Sequence, residues 1–145
     1  MNYAQAKKME LELIEKVRKD MERLGWENVS IDDYCRGDLI LKKCNEYRCY
    51  EVKCRTYDLS FFEQNGTSVE MSKLEELNNQ YGIDYLTLLT VTSDGWLLKS
   101  KITFNSLKSG YFASKTTCFG NKKRRFKTVY LDKGFVKRKL HKKGD

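Results

Sequence analysis

The sequence predicts a single α/β domain in which helices flank a mixed central sheet. Residues 4–24 carry apolar side chains at the spacing of a helix that packs on a core. Residues 85–91 form a near-continuous apolar run, typical of a strand covered on both faces. With 145 residues, no proline, no repeat and no low-complexity linker, nothing marks a domain boundary.

The first half of the chain predicts one helix followed by a hairpin. Gly25 follows the apolar pattern of residues 4–24 and is the expected C-terminal cap of that helix. Residues 38–43 then read as a strand, and residues 47–55 as its hairpin partner. The segment around residues 65–66 is expected to be a loop.

The second half predicts a helix, a second hairpin and a basic end. Ser72 and Glu75 have the spacing of a capping box, and Gly82 is expected to end the helix that they begin. After the buried strand, residues 93–95 turn the chain into a strand over residues 96–102. A short helical piece near residues 105–108 and a basic hairpin turning at residues 120–121 complete the prediction.

Composition indicates a folded, cytoplasmic protein with reduced thiols. Hydrophobic residues make up 40% and charged residues 33%, and neither a signal peptide nor an apolar membrane span is read in the sequence. The five cysteines include no Cys-x-x-Cys pair. Cys44, Cys49 and Cys54 are evenly spaced, which leaves a zinc site open, but their predicted positions in or beside strands favour buried free thiols.

Positive charge is concentrated at the C-terminal end. Residues 101–145 carry 14 Lys and Arg against two acidic residues, whereas residues 1–100 carry 14 against 18. This asymmetry favours a polyanionic partner, and nucleic acid in particular. The strongest run, called here the basic cluster, lies beside Phe119 and Tyr130, so that phosphate contact and base stacking are both expected. The basic cluster consists of Lys122, Lys123, Arg124, Arg125 and Lys127. The alternative is an edge strand protected by its charges.

Three charged residues on the first predicted hairpin indicate metal chemistry. Because side chains alternate along a strand, Glu51 and Lys53 share one face while Val52 points towards the core. Asp38 on the neighbouring strand would bring a second carboxylate to this place. Two carboxylates repel unless a cation joins them, and their oxygens suit Mg²⁺ or Mn²⁺. The chemistry that such a site supplies is hydrolysis of a phosphodiester. The alternative is a cross-strand salt bridge such as Lys53 with Asp38.

The pattern Asp38…Glu51-Val52-Lys53, with one helix before it and another after it, resembles the PD-(D/E)XK nuclease superfamily. Within that superfamily the order of elements is similar to the archaeal Holliday-junction resolvases and, more distantly, to restriction endonucleases. The resemblance implies a restriction-endonuclease-like fold and an Mg²⁺-dependent endonuclease that cuts DNA. It also implies metal ligands at Asp38, Glu51 and Val52, and a Lys53 that positions or activates the attacking water.

The resemblance covers roughly residues 4–102, and the basic extension of residues 103–145 has no matching part. The residue before the motif aspartate is usually proline in that family, whereas here it is Gly37. That proline does no chemistry, so the difference does not touch the expected catalytic groups.

The family often adds a glutamate from the first helix, and Glu10 is the candidate here. On a helical wheel Glu10 falls within the apolar stripe, whereas Glu12 and Glu15 fall outside it. A carboxylate on the buried face needs a partner, which the metal site could supply. The alternative is that Glu10 lies at the edge of the stripe and reaches water.

Two other classes of function stay open from the sequence alone. One is a nucleic-acid-binding domain that keeps the nuclease fold without catalysis, and the other is an interaction protein whose basic end binds an acidic protein. One active site cuts one strand, so cleavage of a duplex or a junction predicts a homodimer.

Overall fold

The computed structural model describes residues 1–30, 38–109, 111–119 and 123–140; for residues 38, 109, 111–119 and 123–128 it describes the backbone. The helices are α1 (Tyr3–Arg23), α2 (Leu59–Asn65), α3 (Ser72–Tyr81) and α4 (Phe104–Ser109). The strands are β1 (Glu27–Asn28), β2 (Asp38–Lys43), β3 (Glu46–Cys54), β4 (Thr67–Glu70), β5 (Tyr85–Val91), β6 (Trp96–Thr103), β7 (Tyr111–Phe119), β8 (Lys123–Asp132) and β9 (Val136–Lys139).

Six strands form the main sheet in the order β1-β2-β3-β5-β6-β9. The β3–β5 pair is parallel, and the other pairs in this sheet are antiparallel. A smaller antiparallel sheet has the order β4-β8-β7. The predicted α/β class, with a mixed central sheet flanked by helices, is therefore confirmed.

The main sheet separates two hydrophobic clusters. On one face α1 packs through Ala6, Ile14 and Met21 against a cluster that includes Val52 of β3. The opposite face carries the second cluster, with side chains from α3, α4, β4 and β8: Leu74, Leu77, Leu107, Val69 and Tyr130. Strand β5 lies between the two clusters and is buried from Leu86 to Val91, as its apolar run predicted.

The helices and strands with long, regular patterns are confirmed within a residue or two. Helix α1 covers residues 3–23, α3 ends at Gly82, and the β5–β6 hairpin turns where it was expected. Gly82 adopts a left-handed conformation, φ 70° and ψ 21°, and its amide donates to the carbonyl of Asn78. A glycine takes up this conformation without the steric cost of a Cβ atom.

The predicted capping box at the start of α3 is wrong. Met71 occupies the N-cap position with helical dihedral angles, φ −57° and ψ −38°, and it makes no side-chain capping bond. Ser72 is already the first helical residue, and its hydroxyl lies 3.5 Å from a Glu70 carboxylate oxygen. Ser72 therefore cannot offer the extended backbone that a capping residue needs.

The segment expected to be a loop contains α2 and β4. Asp58 caps α2, because its carboxylate accepts a hydrogen bond from the Phe61 amide at 2.9 Å. Gly66 ends the helix at φ 80°, and a Cβ atom built there would lie 2.9 Å from the carbonyl oxygen of Asp132. Glycine at this position lets the chain turn close against β8 and enter β4 as its partner.

The basic C-terminal part belongs to the same sheets as the rest of the chain. Strand β9 forms an edge of the main sheet beside β6, and β8 joins β4 to β7. The turn expected at residues 120–121 lies outside the described residues. In the part of the chain that the structure describes, no helix is both long enough and apolar enough to cross a bilayer.

Candidate active site

The register of the first hairpin sets Asp38 opposite Glu51. Asp38 is the first residue of β2, and its Cα pairs with that of Glu51 across the antiparallel ladder. Directly opposed residues on adjacent strands project from the same face, so the two positions share one face of the sheet. Lys53 lies two residues further along β3 and projects from this face as well. The three positions that the sequence grouped are therefore neighbours in the backbone.

Glu51 and Lys53 are in contact and largely withdrawn from solvent. The Lys53 Nζ lies 3.5 Å from Glu51 Oε1, with the two side chains 20% and 13% exposed. The same ammonium donates a 2.9 Å hydrogen bond to the main-chain carbonyl of Ser68 in β4. Lys53 is thus held between the two sheets. Its ion-pair partner, Glu51, lies on the same strand, two residues earlier.

The second oxygen of Glu51 is buried and has no hydrogen-bond partner among the described residues. A buried carboxylate oxygen without a partner is costly, because it has lost its hydration and gained nothing in return. A divalent cation is one group that would compensate it, since Mg²⁺ and Mn²⁺ bind carboxylate oxygens. Glu51 therefore supplies one oxygen of the kind that the metal expected from the sequence binds.

Glu10 lies on α1 and is buried, as the helical wheel predicted. It is 7% exposed, whereas Glu12 is exposed and Glu15 is partly exposed. Its Oε2 is 2.8 Å from the ammonium of Lys7, one helical turn earlier. Burial is confirmed for Glu10, and its charge is balanced by a lysine that the sequence reasoning did not consider.

A cavity of about 600 Å³ connects these groups. Its lining includes Lys7 and Glu10 from α1 together with Glu51 and Lys53 from β3. Helix α1 covers the opposite face of the sheet from Glu51, so the cavity passes around the end of β3. There the described strand partner of residues 52–54 is β5.

Val52 and Cys54 turn away from the Glu51 face. The Val52 side chain is 1% exposed and belongs to the cluster beneath α1, so its main-chain carbonyl is the one group it could offer to a metal. Burial, and then the negative charge of Glu10, raise the pKa of the Cys54 thiol to about 12. Cys54 therefore stays protonated near neutral pH and does not act as a thiolate nucleophile.

Among the side chains that the structure describes, no three His, Cys, Asp or Glu residues come together to hold a metal. The Asp38 side chain is not among them. Cys44 is exposed, Cys49 and Cys54 are buried, and none of these three thiols forms a disulfide. Cys49 and Cys54 belong to clusters on opposite faces of the main sheet, so these two thiols cannot bind the same zinc ion.

Four of the five residues of the basic cluster fall on the smaller sheet. Lys123, Arg124, Arg125 and Lys127 are residues of β8, which pairs with β7 on one side and β4 on the other. Lys122 lies outside the described residues. Exposed lysines and an arginine also line β9, at the edge of the main sheet: Lys137, Arg138 and Lys139.

Sequence reasoning missed two charged residues of the cavity and the main-chain partner of Lys53. Lys7 could have been found from its three-residue spacing to Glu10, since such pairs are neighbours on a helix. Arg55 continues the alternation of Glu51 and Lys53, and it is exposed at the cavity. The Ser68 carbonyl had no signal in the sequence, because it reaches Lys53 through the packing of β4.

Comparisons with protein-family models, with curated proteins and with solved structures find no match to this chain.

Proposed function

We propose that this chain is a metal-dependent endonuclease that hydrolyses phosphodiester bonds in DNA, built on a restriction-endonuclease-like fold of the PD-(D/E)XK type. The observation that carries the proposal is the buried Glu51 Oε2, which has no hydrogen-bond partner among the described residues. Glu51 also contacts Lys53 and is in register with Asp38. A stable fold tolerates such an oxygen poorly unless a ligand completes it. A divalent cation is the ligand whose chemistry fits.

The carboxylates of Asp38 and Glu51 would hold Mg²⁺ or Mn²⁺, with the main-chain carbonyl of Val52 as a further ligand. When bound, such a cation stabilises charge on the phosphate and lowers the pKa of its water. Lys53 is anchored to the Ser68 carbonyl at 2.9 Å, which fixes its ammonium beside Glu51. In this position Lys53 would orient the attacking water. Glu10 borders the same cavity from α1 and would bind the metal or its water from that side.

Substrate binding is assigned to the positive charges. The basic cluster on β8 and the exposed cations of β9 would contact backbone phosphates, each contact releasing condensed counterions. Lys137 also pairs with Glu63 at 3.1 Å, so the edge of the main sheet is not uniformly positive. Affinity that falls steeply with salt is the expected signature of this mode of binding.

A nucleic-acid-binding domain without catalysis is the second candidate, and the ion pairs favour it. Lys53 already offsets the charge of Glu51, and Lys7 offsets that of Glu10. Both carboxylates are therefore compensated in part without a metal ion. This candidate keeps the role of the basic cluster and removes the metal.

A cleavage panel separates the two. Labelled single-stranded, duplex and branched DNA and the matching RNA forms are incubated with the chain in Mg²⁺, Mn²⁺ or EDTA. The nuclease proposal expects cleavage in a divalent metal, none in EDTA, and none from Glu51→Gln. Tight, salt-sensitive binding without cleavage of any substrate would leave the binding domain instead.

A further inference from the structure

An ordered aromatic side chain borders the candidate active site. Tyr57 lines the same cavity as Glu51 and Lys53, and it is 50% exposed. It lies two residues after Arg55, which is also exposed at the cavity. The cavity wall therefore presents an aromatic ring and a guanidinium close to the groups proposed for chemistry.

Two phenylalanine rings hold the Tyr57 ring in position. The ring of Phe61 stacks on it with centroids 4.0 Å apart and planes 12° apart, and Phe62 meets it edge-on at 6.3 Å. The main chain is fixed as well, because the Ser93 amide donates to the Tyr57 carbonyl at 2.8 Å. One face of the ring is covered by Phe61, and half of the residue stays open to solvent. Tyr57 thus offers a second, uncovered face that needs little ordering to bind a flat ligand.

An exposed aromatic face beside an arginine matches a nucleotide with an unpaired base. Nucleobases stack on aromatic side chains whatever their sequence, while a guanidinium binds the adjoining phosphate. In the interior of a duplex, both faces of each base are already covered by its neighbours. A base can therefore reach Tyr57 when it is single-stranded, at an open end, or turned out of the helix.

We propose that Tyr57 stacks on an unpaired base of the substrate, so that the site takes single-stranded or unpaired nucleic acid. This inference rests on the proposed function, since it assigns a substrate class to the same cavity. Tyr57 and Arg55 then bind the strand next to the phosphate that Glu51 and Lys53 would act on.

The test compares two short oligonucleotides of equal length, one of thymidines and one of abasic linkers, which carry the same phosphates. Binding is followed by fluorescence anisotropy in Ca²⁺, so that no cleavage is needed. The parent chain should bind the thymidine strand at least about fivefold more tightly, which corresponds to the lower end of the free energy for stacking one base. Tyr57→Leu should lose that preference and bind the abasic strand as the parent does.

Two variants serve as controls. Tyr57→Phe keeps the ring and should keep the preference, which separates stacking from hydrogen bonding by the hydroxyl. Phe104→Leu removes an aromatic ring that is 37% exposed on α4, outside the lining of the cavity, and should behave like the parent. If Tyr57→Leu does not fold, equal binding of the two oligonucleotides by the parent would still overturn the inference.

Three results would overturn the inference: equal binding of both oligonucleotides by the parent, a preference that survives in folded Tyr57→Leu, or tighter binding of a duplex than of its single strand. Its failure and that of the proposed function are distinguishable. If the chain shows a Tyr57-dependent preference but cleaves nothing, this inference stands and the nuclease proposal fails. If the chain cleaves without that preference, only this inference fails.

Discussion

Replacing Lys53 by methionine removes the ammonium and keeps an unbranched side chain of similar length. Two contacts are lost: the hydrogen bond to the Ser68 carbonyl at 2.9 Å and the ion pair with Glu51 at 3.5 Å. A hydrogen bond from a charged donor contributes about 1.5–3 kcal/mol. The ion pair adds up to about 1 kcal/mol, because both side chains keep some contact with solvent. The free energy of unfolding should therefore fall by about 1.5–4 kcal/mol.

Metal binding and turnover should respond in opposite directions. The ammonium repels a cation bound at Glu51, so Lys53→Met should bind Mn²⁺ as well as the parent or more tightly. Turnover should collapse, because the group proposed to orient the water has gone. Lys53→Arg should restore little activity, since a guanidinium is larger and holds its proton more firmly.

Urea denaturation and calorimetric Mn²⁺ titration measure these two effects on the same protein preparations. Lys99→Met is the matched control, because Lys99 is an exposed lysine on β6 of the same sheet. Its effect on stability should stay within about 0.5 kcal/mol. A Lys53→Met variant as stable as Lys99→Met would show that the Ser68 and Glu51 contacts contribute nothing. Weaker metal binding by Lys53→Met would refute the electrostatic reasoning.

Three further predictions follow from the site and its surroundings. Glu10→Gln should reduce metal-dependent turnover while Glu12→Gln leaves it near that of the parent, because Glu10 alone of the two is buried at the cavity; equal rates in a cleavage assay would remove α1 from the site. Alanine at the first four positions of the basic cluster should weaken binding and flatten the slope of log K against log salt, and an unchanged slope would place this cluster outside the interface. Cys54 should make stability fall as pH rises above the thiol pKa of the unfolded chain, by at most about 1.4 kcal/mol per pH unit, because the folded thiol keeps its proton up to about pH 12. Denaturation of Cys54→Ala across the same pH range should lack this part of the decline, and identical pH profiles would contradict it.

The helices and strands with long patterns could be predicted from the sequence because many residues contribute to each pattern. Helix α1 repeats its apolar spacing over five turns or more, and β5 is apolar on both faces. Helix α2 has seven residues, too few for a helical period to appear, and β4 has four. At β9 the sequence shows a run of cations, and charge alone does not distinguish a solvated tail from an edge strand.

The candidate site was predictable where it depends on local rules. Alternation along β3 and the hairpin register bring the backbone positions of Asp38, Glu51 and Lys53 together, and Glu10 is buried as the helical wheel of α1 predicts. What the sequence could not show depends on contacts between distant segments. Lys53 reaches Ser68 because β4 pairs with β8, more than sixty residues further along the chain.

The central claim is that Glu51 holds a divalent cation, and calorimetric titration with Mn²⁺ tests it most directly. Glu46→Gln is the matched control, because Glu46 lies on the same strand with its side chain 59% exposed. The parent and Glu46→Gln should each bind Mn²⁺ at one site with equal affinity. Glu51→Gln should lose that binding, since it removes a charge that the cation needs. Equal, negligible heats from the parent and Glu51→Gln, with no cleavage of any substrate, would contradict the metal-dependent nuclease.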